Sequence, residues 1–231
     1  MLRALIAIAS FSLAFGCSSQ TTSTDTTIDH SDTKPADLRI RAKVGDTGRY
    51  HAVTDMRAEG KGALHWEVSW DETATKVGSN SSTWRTRLYG VKAEGTGVFK
   101  EKAEEIKSVE GVETENNVGP QGHDLDGEGA SGATANITLP DRPIRPGEGW
   151  ESEIESNGQK MRIRYTFMRR VTENGRPAVL IEGIAVEDQP IKSLTPGRYV
   201  IDEETGKVIS AKVEYEVIPA KMRMSFEVTR L

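Results

Sequence analysis

The sequence is poor in reactive side chains and in long apolar runs. Its 231 residues include one cysteine and four histidines, and aromatic residues make up 6%. A single cysteine excludes an internal disulfide, so the folded part must be held together by its core. The longest apolar run, near the N-terminus, is only about a dozen residues long, whereas a membrane-spanning helix needs roughly 20. A spanning helix is therefore not expected.

The sequence also lacks a charge excess and the motifs of common catalytic sites. With 30 basic and 35 acidic residues the net charge is −5, which does not attract nucleic acid. No serine lies in a Gly-x-Ser-x-Gly turn, no glycine-rich loop precedes a lysine, and no histidine has metal ligands at short spacing. We therefore expect a non-catalytic protein that needs no cofactor.

The N-terminus carries an export signal. Arg3 is followed by an apolar stretch that ends at Gly16, the pattern of a short signal peptide over residues 1–16. The run Leu13–Cys17 resembles the lipobox of bacterial lipoproteins, although Ala14 stands where leucine is usual. The resemblance implies cleavage before Cys17 and acylation of its sulfur with fatty acids such as palmitate; the alternative is an ordinary buried thiol. We expect a lipid-anchored protein of the bacterial cell envelope, and Ser18 points to the outer membrane.

A hydroxyl-rich segment follows the cysteine. Residues 17–36 consist mostly of Ser, Thr, Asp and Gln, which bury too little surface to offset the entropy of ordering the chain. We predict a disordered tether here and a folded domain over residues 37–231.

Strict alternation of apolar and polar residues dominates the rest of the chain. It is clearest in Leu64–Trp70, Met161–Phe167, Ile209–Val217 and Met222–Val228, and it is the period-2 pattern of strands with one buried face. Turn signals such as Asn174-Gly175 separate several of these runs. Further strands are predicted at Leu38–Lys43, Arg49–Arg57, Thr83–Lys92, Gly95–Lys100, Trp150–Ser156, Ala178–Glu187 and Arg198–Asp202. The only helix predicted is Lys102–Lys107.

These patterns predict an all-β fold. Hairpin turns favour an antiparallel meander that forms a curved sheet, a half-barrel or a sandwich. A Gly-acidic turn that feeds an aromatic residue occurs near Gly48 and again near Gly149, which suggests two similar halves, 37–110 and 135–231. The glycine-rich stretch 111–134 between them is predicted to be a loop.

Two sets of residues are candidates for a site. Large aromatic side chains on the apolar faces form either a packed core or the lining of a ligand cavity; they are Trp66, Trp70, Trp84, Trp150, Tyr165 and Phe167. The alternate carboxylates Asp124, Asp126 and Glu128 lie beside glycines, as calcium ligands often do, but they fail the EF-hand pattern. A solvated loop is the favoured interpretation of these three, and no metal is predicted.

A set of turn and aromatic residues in this sequence resembles those of known protein families. Val44-Gly45-Asp46, Leu139-Pro140, Pro146–Trp150 and a Gly206 hairpin resemble a family of uncharacterised bacterial lipoproteins and, more distantly, the half-barrel carriers of lipids and lipoproteins in the envelope. The resemblance carries no functional residues. We expect a non-catalytic binding or structural role, with a protein or an apolar ligand as partner. The alternative is a carrier or sensor that holds a lipid or other apolar ligand in the concave face of the sheet.

Overall fold

The computed structural model describes residue 28 and residues 31–125, 137–156, 159–186 and 190–231. The predicted signal peptide 1–16, the candidate lipidation site Cys17 and most of the predicted tether lie outside the described residues. In the described ranges, no helix is both long enough and apolar enough to span a membrane.

The described residues form ten strands and one short α-helix. The strands are β1 (Thr47–Ala58), β2 (Gly62–Val77), β3 (Ser82–Gly95), β4 (Glu113–Val118), β5 (Gly149–Ser156), β6 (Gln159–Glu173), β7 (Arg176–Ala185), β8 (Ile191–Asp202), β9 (Val208–Val217) and β10 (Met222–Arg230). The helix α1 is Lys100–Lys107, and 3₁₀ turns lie at Gly97–Phe99 and Ile218–Ala220.

The strands form one open, curved, antiparallel sheet. Their order is β4-β3-β2-β1-β10-β9-β8-β7-β6-β5. The pairing of β1 with β10, from Tyr50–Arg230 to Ala58–Met222, joins the first four strands to the last six in a single surface. The predicted all-β fold with an antiparallel curved sheet is confirmed.

Most of the predicted elements are also found. The four alternating runs lie within β2, β6, β9 and β10, and the predicted helix Lys102–Lys107 lies within α1. Alternation is reliable in these four runs because their strands bury one face more deeply than the other, so the sequence period matches the pleat.

The predicted strand Gly95–Lys100 is wrong. Gly97 has a φ of +58°, in the left-handed region, and a Cβ there would meet the Lys61 carbonyl oxygen at 1.9 Å. The chain therefore leaves β3 through a tight 3₁₀ turn and enters α1, whose Lys, Glu and Ala residues favour helix.

The predicted strand Leu38–Lys43 is wrong as well, and the folded part begins before Asp37. Ala36 forms an isolated bridge with Ile144, and Leu38 and Ile40 are buried. Residues 36–41, which we call the strap, are extended but cross the sheet instead of joining it. The Ile40 N–H therefore donates to the carbonyl of Pro120, outside any strand ladder.

Arg170 on β6 holds the residues just before the strap. Its guanidinium donates to the carboxylates of Asp32 and Glu203, the latter at 2.8 Å, and to the carbonyls of Lys34 at 2.9 Å and Pro35 at 3.3 Å. Part of the segment predicted to be a disordered tether therefore contacts the folded domain. The cause is that its polar groups accept hydrogen bonds from the partially buried Arg170 guanidinium.

Part of the predicted loop 111–134 is strand. Residues Glu113–Val118 form β4 and pair with β3, and only Val118 among them is a buried apolar residue. An edge strand needs little apolar surface of its own, so its sequence shows no apolar alternation. Residues 126–134 lie outside the described residues.

The strap is expected to stabilise the fold through apolar burial. Replacing fully buried Leu38 by alanine should lower the free energy of unfolding by about 2–4 kcal/mol, from lost burial and the cavity left behind. Val44, 68% exposed, provides the matched control, and Val44→Ala should change stability by less than about 0.5 kcal/mol. Urea unfolding followed by tryptophan fluorescence measures both values; equal small losses would show that the strap is not part of the core.

Candidate functional site

The two faces of the sheet differ in character. Directly paired residues share a face, so Tyr50, Thr54 and Met56 of β1 lie with Trp70 and Trp66 of β2 on one side. This inner face carries the two apolar clusters that the described residues form. The outer face carries charged and hydroxyl side chains, which are half-buried or exposed along β1 and β2.

One end of the inner face is filled. The strap, together with residues 137–144, lies over it and contributes Leu38, Ile40, Ile137, Leu139 and Ile144 to the larger cluster. We call this end of the sheet the strap end. It includes the hairpin turn between β8 and β9, where Gly206 lies so close to the strap that a Cβ would meet the Arg39 carbonyl oxygen at 2.3 Å.

Five of the six candidate aromatic residues pack into this larger cluster. Trp70, Trp84, Tyr165 and Phe167 are buried, and partly buried Trp150 packs against them. Trp150 stacks on Tyr165 with ring centroids 5.1 Å apart, and the Trp150 indole N–H donates to the Thr138 carbonyl at 2.7 Å. These side chains fill space between the sheet and the segments that cross it.

A buried ion pair crosses the strap end. The Lys207 ammonium lies 2.9 Å from the Glu72 carboxylate, with side-chain exposures of 2% and 1%, and 3.7 Å from the centre of the Trp84 ring. Burial lowers the pKa of Lys207, and the charge of Glu72 opposes that shift. Burial, and then the negative charge of Glu72, raise the pKa of the neighbouring Tyr50 well above its usual value. The pair ties the β8–β9 hairpin to β2.

The hairpin that presents Lys207 is itself fixed by a carboxylate. Asp202 accepts hydrogen bonds from the backbone N–H groups of Glu204 at 3.0 Å and Thr205 at 2.9 Å. Burial alone would raise the pKa of Asp202; these bonds and Arg176 hold it below its usual value. The turn is therefore ordered independently of the ion pair.

Removing one partner of the buried ion pair should be costly. Lys207→Met leaves the Glu72 carboxylate buried without its cation and should lower the free energy of unfolding by about 3–5 kcal/mol. The double variant Glu72→Met/Lys207→Met should recover most of that loss, because neither charge remains buried. Chemical unfolding of the two single variants and the double variant tests this; additive losses would show that the pair is not coupled.

The opposite end of the inner face is covered differently. We call it the helix end, because α1 lies there. Ala103 and Ile106 of the helix pack on Leu64, Trp66 and Ala93 in the smaller cluster. Trp66, the sixth candidate aromatic residue, therefore belongs to a different cluster from the other five.

Beside the two clusters the inner face is incompletely covered. Several apolar residues at inner-face positions are only half-buried: Met56, Val68, Leu88, Val213, Tyr215, Val217 and Met222. No charged residue occupies an inner-face position in the helix-end half of β1, β2, β9 or β10, all of which the structure describes there. The arrangement is an apolar surface with adaptable Met side chains.

Thr54 lies where the filled and the incompletely covered parts meet. Its side chain is 1% exposed, and its cross-strand neighbours are Trp66 and Phe226. The Thr54 hydroxyl has no hydrogen-bond partner among the described residues, and a buried unpaired hydroxyl costs about 1–3 kcal/mol. The Trp70 indole N–H, nearer the strap end, likewise has no partner among them.

The outer face holds the histidines of the sheet. The His51 Nδ1 lies 3.1 Å from the Ser69 hydroxyl, and the His65 Nδ1 lies 2.8 Å from the Asp55 carboxylate. Both pairs lie across β1 and β2, half-exposed to solvent. A serine–histidine pair therefore exists, but on the open surface of the sheet, away from the apolar inner face.

The metal candidates are only partly described. Asp124 is half-buried beside the bridge with Val118, whereas Asp126 and Glu128 lie outside the described residues. Within the described ranges, no group of three or more His, Cys, Asp or Glu side chains could hold a metal ion.

Comparison with known proteins gives no family. The chain matches no protein-family model and no curated protein. The resemblance to uncharacterised bacterial lipoproteins therefore stays a prediction.

Three solved structures resemble the chain weakly. DynF from the dynemicin biosynthesis pathway of Micromonospora chersina is 11% identical over 95% of this chain and 93% of that chain, with a TM-score of 0.24. A DUF1329 family protein from Desulfovibrio piger is 7% identical over 80% and 84%, with a TM-score of 0.20. The S-type phycobiliprotein lyase CPES from Guillardia theta is 12% identical over 80% and 86%, with a TM-score of 0.24. Likeness at this level carries no information on what this chain does.

Sequence reasoning missed the most informative polar residues. Glu72 follows Leu64, Trp66, Val68 and Trp70 in the same phase of β2, and Thr54 follows Tyr50 and Ala52 in β1 in the same way. The alternation thus places both side chains on the apolar face. Lys207 has no such signal, because it lies in a turn.

Proposed function

We propose that this protein is a lipid-anchored protein of the bacterial envelope whose β domain binds an apolar ligand without catalysing a reaction. The anchoring part rests on the resemblance of Leu13–Cys17 to a lipobox. The binding part rests on one observation: the inner face of the sheet is filled at the strap end but presents half-buried apolar side chains towards the helix end.

The chemistry of that surface favours an apolar ligand. Apolar binding sites are lined by aliphatic and aromatic side chains with few polar groups, and the inner face near Met56 and Val68 has this composition. Met56 and Val68 pack beside the smaller cluster while remaining half-buried. Burial of this remaining apolar area by a ligand would contribute about 25 cal/mol per Å².

An anchored domain needs no membrane-binding surface of its own. Two acyl chains already give stable membrane attachment, because each buried methylene contributes about 0.8 kcal/mol. The part of the predicted tether 17–36 that precedes the contacts of Arg170 would let the domain stand away from the membrane. The β domain is then available for binding.

Lipid attachment at Cys17 should be detectable directly. Cells that express the full chain and receive an alkyne-bearing palmitate should incorporate the label into the wild-type protein, since thioacylation requires the Cys17 sulfur. Cys17→Ser should abolish the label, and Ser18→Ala, one residue further on, should retain it. Gel fluorescence after coupling a dye to the alkyne measures incorporation, and an unlabelled wild-type protein would refute the anchor.

Ligand binding should depend on the inner face. In a soluble chain from Ser18 to Leu231, which lacks Cys17 but keeps every described residue, Met56→Glu should weaken binding of the neutral dye 1-N-phenylnaphthylamine about tenfold or more, because a carboxylate resists burial. Arg57→Glu changes the next, outward-facing residue and should leave binding unchanged. Dye fluorescence gives the Kd, and thermal melts confirm folding.

The same experiment separates binding from a purely structural role. If the wild-type chain binds no dye and carries no lipid in native mass spectrometry, the inner face is only a core. The outer face would then be the place to look for a protein partner.

A further inference from the structure

The unpartnered Thr54 hydroxyl gives the proposed apolar site a chemical preference. Thr54 is more than nine-tenths buried, and its hydroxyl has no hydrogen-bond partner among the described residues. It shares the inner face with Met56 two residues along β1. A valine would fill nearly the same volume without a polar group, so the core gains nothing from the hydroxyl.

The surroundings of Thr54 offer the hydroxyl no internal acceptor. Its direct neighbours on β2 and β10 are Trp66 and Phe226, neither of which has an acceptor in its side chain. The backbone carbonyls on either side take part in the antiparallel ladder with β2 and β10; each keeps a second lone pair, but none forms a hydrogen bond with the Thr54 hydroxyl. The hydroxyl is thus able to donate a hydrogen bond to a group that enters along the inner face.

The charges on the inner face limit which kind of polar group on a ligand can bind next to Thr54. No described strand residue at an inner-face position of β1, β2, β9 or β10 in the helix-end half is charged. A carboxylate or phosphate there would lose its hydration without gaining a counterion, which is strongly unfavourable. A neutral carbonyl has a much smaller desolvation cost, and one hydroxyl is enough to satisfy one of its lone pairs.

The position of Thr54 along β1 sets the orientation of the ligand in the site. Thr54 lies four residues before Ala58, where β1 ends at the helix end, which corresponds to about 13 Å along the strand. Beyond Thr54 towards the strap end, the larger cluster fills the inner face. A polar group at Thr54 therefore marks the inner limit of the site, and the half-buried side chains of Met56 and Met222 lie between it and the helix end.

We propose that the site takes a neutral acyl ester or amide, with its hydrocarbon chain on the half-buried apolar side chains and its carbonyl oxygen accepting a hydrogen bond from the Thr54 hydroxyl. This inference rests on the proposed apolar binding and adds the polar group that the ligand carries. It distinguishes a neutral acyl ligand from a free fatty acid, whose carboxylate would lie outside the site.

The test compares two probes of similar length on the soluble chain from Ser18 to Leu231. Methyl laurate has an ester carbonyl and tridecane has none; each is titrated against bound 1-N-phenylnaphthylamine. Thr54→Val should weaken methyl laurate binding about five- to tenfold, the value of one hydrogen bond, and leave tridecane binding unchanged. Thr229→Val removes a hydroxyl from the outer face and should change neither.

A stability measurement without ligand separates a binding role from a structural one. Because Thr54→Val removes a buried unpaired hydroxyl, Tm should rise by about 2–4 °C, whereas Thr229→Val, on the partly solvated outer face, should leave Tm unchanged. A lower Tm for Thr54→Val, with unchanged probe selectivity, would assign the hydroxyl to the fold and overturn the inference.

The outcomes distinguish the two proposals. If Thr54→Val binds both probes as the wild type does, the ester preference is overturned and apolar binding stands. If the wild-type chain binds neither probe, the apolar site itself is overturned and the ester preference with it.

Discussion

A single open sheet with one apolar face must cover that face without a second sheet. Alternation along most of the strands places large apolar side chains on one side, and burying each such side chain contributes about 1.5–3 kcal/mol. The cover comes from the strap, from residues 137–144 and from α1. Each piece is short, so together they leave part of the face incompletely covered. The candidate site is the part of the inner face that these segments leave incompletely covered.

The two ends of the inner face are built from different interactions. At the strap end a buried ion pair, aromatic stacking and backbone hydrogen bonds fix the geometry of the β8–β9 hairpin and the strap. Buried ion pairs contribute little net stability against an apolar replacement, so the Glu72–Lys207 pair is better understood as fixing which segments meet. Towards the helix end, unbranched Met side chains lie among apolar neighbours, and such side chains repack easily around a ligand.

The strands could be predicted because their physical cause is local. A strand with one buried face shows its period directly in the sequence, as Leu64–Trp70 does, whatever its partners are. The strap could not be predicted in the same way, because its conformation depends on bonds to Pro120 and Ile144, both distant in sequence. The edge strand β4 could not be predicted for a related reason. Its hydrogen bonds to β3 order it, although its own residues bury little apolar surface.

The candidate site shows the same division between local and long-range causes. Trp66 and Trp70 could be placed on the apolar face from alternation alone, but whether they fill a core or line a cavity depends on segments far away in sequence. The strap and residues 137–144 decide this for the strap end, where Trp70 is covered.

The N-terminal segment contacts the sheet away from the proposed binding surface. The chain enters the fold at the strap end, where Arg170 binds Asp32 and Ala36 pairs with Ile144. The incompletely covered surface extends towards the other end of strands that, at 16 residues for β2, are about 50 Å long. The contacts that hold the N-terminal segment therefore lie apart from the side chains of the proposed binding surface. Under the proposed lipid anchor, attachment and binding use opposite ends of one sheet, so neither function needs the other's residues.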